Sequence, residues 1–303
     1  MVPTDFCAFI LTHARPDRVY TYENLKRSGY TGKVFIVIDD EDKTANEYRK
    51  RFGDIVLTFS KREVAKTFDE ADNFNDRRAI VYARNACFDL ARQVGCTHFI
   101  ELDDDYNSGF YLRFNAALDY GNTPRIKDLD SMLCALLDFY KATPIHSIAM
   151  SQGGDHIGGN SAGSQVPRLK RKAMNSFICS TERQFQFQGR VNEDVNTYTE
   201  GTRRGLLFFT TMHAQVNQLA TQSNSGGMTD LYLDSGTYVK SFYSVMYAPS
   251  CVCVGTLGDN RNPHYRLHHN INWRRTAPLI LREEHRKASR ATAQETEVRR
   301  AAH

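Results

Sequence analysis

An apolar run, Phe99-Ile100-Glu101-Leu102, passes directly into Asp103-Asp104-Asp105-Tyr106. Three consecutive carboxylates at the end of a strand repel one another, and a structural role gives little reason to gather them without compensating cations. A divalent ion carrying a nucleotide diphosphate supplies that compensation. Hard oxygen ligands suit manganese or magnesium, and such an ion both orients a diphosphate and stabilises it as a leaving group. The competing reading is an acidic turn that caps a helix on a solvated loop.

Three other clusters carry residue types suited to chemistry. Gly189-Arg190-Val191-Asn192-Glu193-Asp194 offers a carboxylate pair that can serve as a general base, or equally Asn192 capping a helix with acids in its first turn. Near the C-terminus His264, His268 and His269 surround Arg266, a grouping harder to dismiss than a lone structural histidine. Arg168-Leu169-Lys170-Arg171-Lys172 follows a Gly/Ser/Asn-rich stretch and reads either as solvated surface or as a phosphate contact.

The elements that must position these groups follow from hydrophobic periodicity. Residues 6–11 are a short apolar run ended by Thr12-His13-Ala14-Arg15-Pro16, the pattern of a buried strand opening into a loop. Asp17 is expected to cap a helix running to residue 28 and closed by Gly29. Residues 33–38 repeat the strand pattern and stop at Asp39-Asp40-Glu41-Asp42, and a helix over 44–52 and a strand over 54–59 follow. Residues 77–94 have helical spacing, and 97–102 is the strand that delivers the three aspartates. Strands alternating with helices imply an α/β fold with a doubly wound, mostly parallel sheet, in which ligands bind at the carboxyl ends of the strands. Thr12-His13-Ala14-Arg15, Asp39-Asp40 and Asp103-Asp104-Asp105 all fall at such ends.

A helix over 131–140 and a strand over 146–150 continue the pattern. Beyond them the chain becomes irregular, with candidate strands at 176–179, 206–210 and 246–254. Gln184-Phe185-Gln186-Phe187-Gln188 reads as a half-buried strand, Phe inward and Gln outward, or as stacking and hydrogen-bonding groups near an acceptor. We divide the chain into a nucleotide-binding half, 1–150, an acceptor-side and catalytic half, 151–280, and a flexible basic tail, 281–303.

At 303 residues and 41% hydrophobic content the chain can bury a sizeable core. It lacks an apolar run long enough for a signal peptide or a membrane span, so a cytoplasmic protein without a membrane partner is expected. Its seven cysteines are scattered singly apart from Cys251 and Cys253, which argues against a disulfide framework or a zinc site. The net charge of +4 is compatible with a polyanionic partner without requiring one.

The order of motifs is similar to that of the family-two-like GT-A glycosyltransferases: an acidic second-strand end at Asp39-Asp40, the helix with Ala83-Arg84-Asn85-Ala86, then a strand ending in Asp-x-Asp. More specifically, Leu11-Thr12-His13-Ala14-Arg15-Pro16, Ile36-Val37-Ile38-Asp39-Asp40 and Glu101-Leu102-Asp103-Asp104-Asp105-Tyr106 resemble the TET-associated glycosyltransferase family of tailed bacteriophages. The resemblance covers roughly the first half of the chain. It implies a GT-A type sheet with an acceptor-side extension and a nucleotide-sugar donor, of which a UDP-sugar is the expected form, held by Thr12, Arg15, Asp39, Asp40, Arg84, Asp103, Asp104 and Arg266. It further implies Mn2+ or Mg2+ on Asp103 and Asp105, completed by His268 or His269, and a base, Asp194, assisted by Glu193, for an inverting transfer.

The implied acceptor is the hydroxymethyl group of 5-hydroxymethylcytosine or 5-hydroxymethyluracil in phage DNA, which would place the enzyme in the host cytoplasm if phage-encoded. A C5 substituent lies in the major groove, so the base is reached there or extruded, with Arg168, Lys170, Arg171 and Lys172 as DNA contacts. Two rival classes are a nucleotidyltransferase, which would more often carry a Gly-rich loop after the first strand, and a nonenzymatic DNA-binding module on a degenerate transferase fold.

Overall fold

The computed structural model describes residues 1–71, 77–117, 123–152, 176–218, 229–259 and 262–276. The apolar run at the start becomes β1 (Phe6–Leu11), buried along its whole length. Its side chains alternate between two cores: Phe6, Ala8 and Ile10 face one, and Cys7, Phe9 and Leu11 face the other. A strand buried on both faces needs helices above and below it. α1 (Tyr20–Arg27) and α2 (Ala45–Phe52) contribute to the first core through Leu25 and Tyr48. They flank β2 (Lys33–Asp39), and β3 (Val56–Phe59) follows after a 3-10 turn at Gly53–Ile55.

A short α3 (Lys61–Ala65) precedes α4 (Val81–Gln93), which covers the second core with Val81, Phe88 and Ala91. β4 (His98–Asp103) and the short β5 (Phe110–Leu112) lead to α5 (Leu129–Ala142), which returns to the first core. The remaining elements are β6 (Ser147–Ser151), β7 (Ser176–Ser180), α6 (Glu193–Arg203), β8 (Phe208–Val216), α7 (Thr229–Tyr247), β9 (Val252–Asp259), β10 (Asn262–Ile271) and α8 (Trp273–Thr276).

The main sheet has eight strands in the order β3-β2-β1-β4-β7-β6-β8-β5. β1 lies parallel between β2 and β4, with Leu11 opposite both Val37 and Asp103, so three strand ends arrive level with one another. β7 runs antiparallel between β4 and β6, and β5 runs antiparallel to β8, while β6 and β8 are parallel. The sheet is thus the doubly wound, mostly parallel α/β architecture read from the sequence. β9 and β10 form a separate antiparallel pair that packs on α7. Among the described residues no helix is long and apolar enough to cross a membrane, and all seven cysteines are free thiols.

Several local expectations are corrected. Asp17 does not cap α1, which begins at Tyr20 with Val19 at the cap position and no side-chain cap. The expected strand over 246–254 starts only at Val252, because α7 continues through Tyr247 and the chain then turns through Pro249. Residues 184–188 do alternate, with Phe185 and Phe187 buried, but they lie outside any ladder. Asn85 takes the place of a neighbouring strand there. Its side chain accepts from the Phe187 N–H at 2.8 Å and donates to the Phe187 carbonyl at 3.0 Å.

Candidate functional site

The backbone of the aspartate turn is held from α1. The Thr21 hydroxyl donates to the Asp103 carbonyl at 2.5 Å and accepts from the Tyr106 N–H at 3.1 Å, while the Thr21 N–H donates to the Asp104 carbonyl at 3.1 Å. With its backbone pinned, the turn sends three adjacent carboxylates to three different environments.

Asp103 accepts from Arg84 Nη2 at 3.0 Å. Asp104 is reached by a relay: the Arg15 N–H donates to the Tyr48 hydroxyl, which bonds Thr12, whose hydroxyl donates to Asp104 Oδ2 at 2.7 Å. Arg15 Nη1 stands 3.3 Å from the other Asp104 oxygen. Asp105 Oδ2 accepts from Gln218 at 3.2 Å, but its Oδ1 is buried without a hydrogen-bond partner. Burial raises all three. It pushes Asp103 up to about 8 against the pull of Arg84, and with the charge of Asp104 it pushes Asp105 up to about 6. For Asp104, Arg15 and Thr12 counter the burial without cancelling it.

These carboxylates line one end of a cavity of about 250 Å³ whose other end is formed by His13, Asp39, Phe59 and Lys61. His13 Nδ1 lies 2.7 Å and Lys61 Nζ 3.0 Å from Asp39 Oδ2. Burial pushes Asp39 up, but His13 and Lys61 together outweigh it and leave the carboxyl below its ordinary value. The His13-Ala14 turn is held in place by Asp42, which accepts from the Ala14 N–H at 2.8 Å where Ala14 adopts a left-handed φ of 55°. Asp40 is not in the cavity lining and accepts from the Lys61 N–H at 2.9 Å, at the start of α3.

Arg84 does not line the cavity. It is 1% exposed and lies behind the aspartate turn, where Nε donates to Glu193 Oε1 at 3.1 Å and Nη1 lies 3.5 Å from Glu101 Oε2. Glu193 opens α6 beside Asp194; burial and the Asp194 charge raise it. Asp194 is half-buried and has no hydrogen-bond or ion-pair partner among the described residues. Asn192 precedes them in a left-handed conformation, φ 54°, without capping α6 through its side chain. Its amide instead donates to α7, to the Lys240 carbonyl at 2.5 Å and to Ser244 Oγ at 3.2 Å.

Of the late residues, His268 and His269 lie side by side on β10 with ring centroids 4.2 Å apart, and His269 is buried. Arg266 pairs with Leu257 across the strands, and its side chain lies outside the described residues. Arg168, Lys170, Arg171 and Lys172, and the expected tail 281–303, also lie outside them. Among the described residues no three His, Cys, Asp or Glu side chains are grouped to hold a metal ion. Asp105 nevertheless has the chemistry of a cation ligand: a buried carboxylate oxygen with no donor is costly, and a divalent cation would satisfy it while relieving the repulsion along the turn.

Sequence reasoning missed Lys61, Glu101, Tyr48 and Gln218. Lys61 had a usable signal, since it follows β3 at a fourth strand end on the same edge of the sheet. Glu101 sat inside an apolar run and was read as part of the strand. Tyr48 and Gln218 carry no local signature.

The model of a protein family described as TET-associated glycosyltransferase matches residues 6–227. Among solved structures, the chain is similar to glucosyl-3-phosphoglycerate synthase from Mycobacterium tuberculosis, in a complex with Mg2+ and uridine diphosphate. That match has 7% identity and a TM-score of 0.42, covering 88% of this chain and 87% of that one. A cytidylyltransferase from Leptospira borgpetersenii matches at 15% identity and a TM-score of 0.35, covering 69% and 76%. S. aureus TarS 1-349 matches at 10% identity and a TM-score of 0.38, covering 70% and 60%. No curated protein matches the chain in sequence.

Proposed function

The chain belongs to the TET-associated glycosyltransferase family and is a nucleotide-sugar-dependent glycosyltransferase, and on that premise we propose that it is metal-dependent, takes a UDP-sugar, and transfers the sugar with inversion to the hydroxymethyl group of a 5-hydroxymethylpyrimidine in phage DNA. The observation that carries the proposal is the graded aspartate turn: Asp104 satisfied by Thr12 and Arg15, Asp105 left with a buried, unpartnered oxygen, both lining the cavity. A magnesium or manganese ion characteristically takes one or two carboxylates plus substrate phosphates, so a preformed cage of three protein ligands is not required. Asp105 would hold the ion, with Asp103 beside it, and the bound ion would supply charge stabilisation to the leaving diphosphate.

The protein's own residues do the rest. The Asp39, His13 and Lys61 end of the cavity offers paired donors and an acceptor to the nucleotide base, and Arg15 brings a positive charge to the diphosphate side. Asp194, without a hydrogen-bond partner among the described residues, accepts the proton of the acceptor hydroxyl as that oxygen attacks the sugar's anomeric carbon. The bond from that carbon to the diphosphate breaks in the same displacement, the electron pair leaves with the diphosphate, and the anomeric configuration inverts. The test is a donor panel with purified protein, Mn2+, hydroxymethylcytosine- or hydroxymethyluracil-containing DNA and several nucleotide sugars, read by nucleoside mass spectrometry. A mass increase of one sugar that disappears with Asp105→Ala supports the proposal. Binding of UDP without any mass increase would retire the DNA acceptor.

A further inference from the structure

Arg84 is a fully buried cation that does not itself line the donor cavity. Its guanidinium forks between two elements that arrive from distant parts of the chain: Nη2 bonds Asp103 at the end of β4, and Nε bonds Glu193 at the first residue of α6. Phe177 and Phe187 fix its plane, with ring centroids 4.8 and 5.8 Å from the guanidinium carbon. Glu101 completes the setting at 3.5 Å, so three carboxylates share one cation.

As a stability device this is a poor arrangement. Desolvating four charged groups costs more than such pairs usually return, and apolar residues of the same volume would pack as well. A planar fork held between rings is, however, a good way to fix two carboxylates at a set separation and angle. One of them, Asp103, belongs to the turn that carries Asp105. The other, Glu193, is joined by a single peptide bond to Asp194.

We propose that Arg84 is a positioning residue that ties the donor-side carboxylate turn to the acceptor-side base, setting their alignment for in-line displacement. The inference rests on the reading of Asp194 as the base and Asp105 as the donor-side carboxylate. Displacement tolerates little misalignment, a shift of about 1 Å being enough to cost about 10²-fold in rate. Loss of the link therefore lowers transfer while leaving the donor site, whose cavity Arg84 does not line, able to bind.

The test uses the full chain and two variants. Arg84→Lys keeps the buried charge but removes the fork. Glu193→Ala cuts the link from its other end and lessens the excess of negative charge, so it tests the link without placing a lysine in the buried site. UDP affinity with Mn2+ is measured by calorimetry, kcat and KM are measured for transfer to hydroxymethylcytosine DNA, and amide exchange is followed at 103–106 and 192–197 with and without Mn2+ and UDP.

The expected result is UDP affinity within about threefold of wild type, kcat for transfer lowered about 10²-fold and KM for DNA little changed. Protection that UDP and Mn2+ confer on the first turn of α6 in the wild type is lost in both variants, while protection at 103–106 remains. Wild-type kcat in Arg84→Lys, or retention of the transmitted protection in both variants, overturns the inference; so does a parallel loss of UDP affinity and kcat with a lowered melting temperature. If the wild type transfers no sugar to this DNA, the acceptor reading fails by itself, and the exchange data still decide whether Arg84 couples the two sides.

Discussion

Asp103, Asp104 and Asp105 are chemically identical and adjacent, yet an arginine fork, a hydroxyl relay and a glutamine amide give them different surroundings. The same divergence separates Glu193 from Asp194: the first is bonded to Arg84, and the second, the proposed base, has no hydrogen-bond partner among the described residues. Asp194→Asn is therefore expected to bind UDP with Mn2+ normally while kcat for transfer falls about 10²- to 10⁴-fold, the usual contribution of a general base. Calorimetry paired with single-turnover kinetics checks it, and near wild-type turnover would move the base to another residue. The aspartates were legible in the sequence because a strand ending in three carboxylates is conspicuous locally. The role of Arg84 was not, since its partners come from β4 and from α6, over a hundred residues further along. A helix position predicts which way a side chain faces, not what a distant element will bring to it.

The elements of the first half were legible for a related reason. β1, β2 and β4 are continuous apolar runs with polar stops, and their parallel register alone brings Leu11, Val37 and Asp103 level. In the second half the signals compete. The apolar and aromatic content of α7 reads as strand near its end, and the extended Phe185 and Phe187 segment satisfies its backbone through a side chain, which no periodicity foretells. The entry into α6 is the clearest case, because the sequence offered Asn192 as one possible side-chain cap and it instead turns left-handed to bond α7. Asn tolerates that conformation far better than a residue with an unassisted Cβ, for which it costs about 1–2 kcal/mol. Asn192→Ala is thus expected to lose both the conformational tolerance and the bonds to Lys240 and Ser244, and Asn192→Gly only the bonds. Denaturant midpoints should rank wild type above Gly and Gly above Ala, with transfer falling in the same order because α6 carries Asp194, the proposed base. An alanine variant as stable as the glycine one would show that the left-handed turn is not what holds α6.

At the scale of the whole molecule, the carboxyl edge of the sheet concentrates negative charge that the fold does not fully offset. Burial pushes Glu101 and Asp103 up to about 8 and Asp105 up to about 6, from ordinary values of 4.5 for the glutamate and 3.8 for the aspartates. Folded values above unfolded ones mean that the folded state holds these protons more tightly. The stability they contribute is complete below about pH 4 and is lost as pH rises through the window up to about 8. Asp39 and Asp5 act in the opposite sense: their carboxyls lie below the ordinary value, so their contribution is present above pH 4 and is lost only in stronger acid. The metal-free protein should therefore melt several degrees lower at pH 8 than at pH 5, since each kcal/mol lost is worth about 2–4 °C in domains of about 150–250 residues and somewhat less in a longer chain. A cation bound at Asp105 removes the repulsion that ionisation creates, and by linkage it stabilises most where the carboxylates are charged. Mn2+ should accordingly raise the melting temperature strongly at pH 8 and little at pH 5, and Asp105→Ala should abolish that difference. Scanning calorimetry across this range, with and without Mn2+, is decisive: a melting temperature that climbs steadily from pH 5 to 8 and ignores Mn2+ would mean that the aspartate turn is compensated within the protein and has no need of an ion.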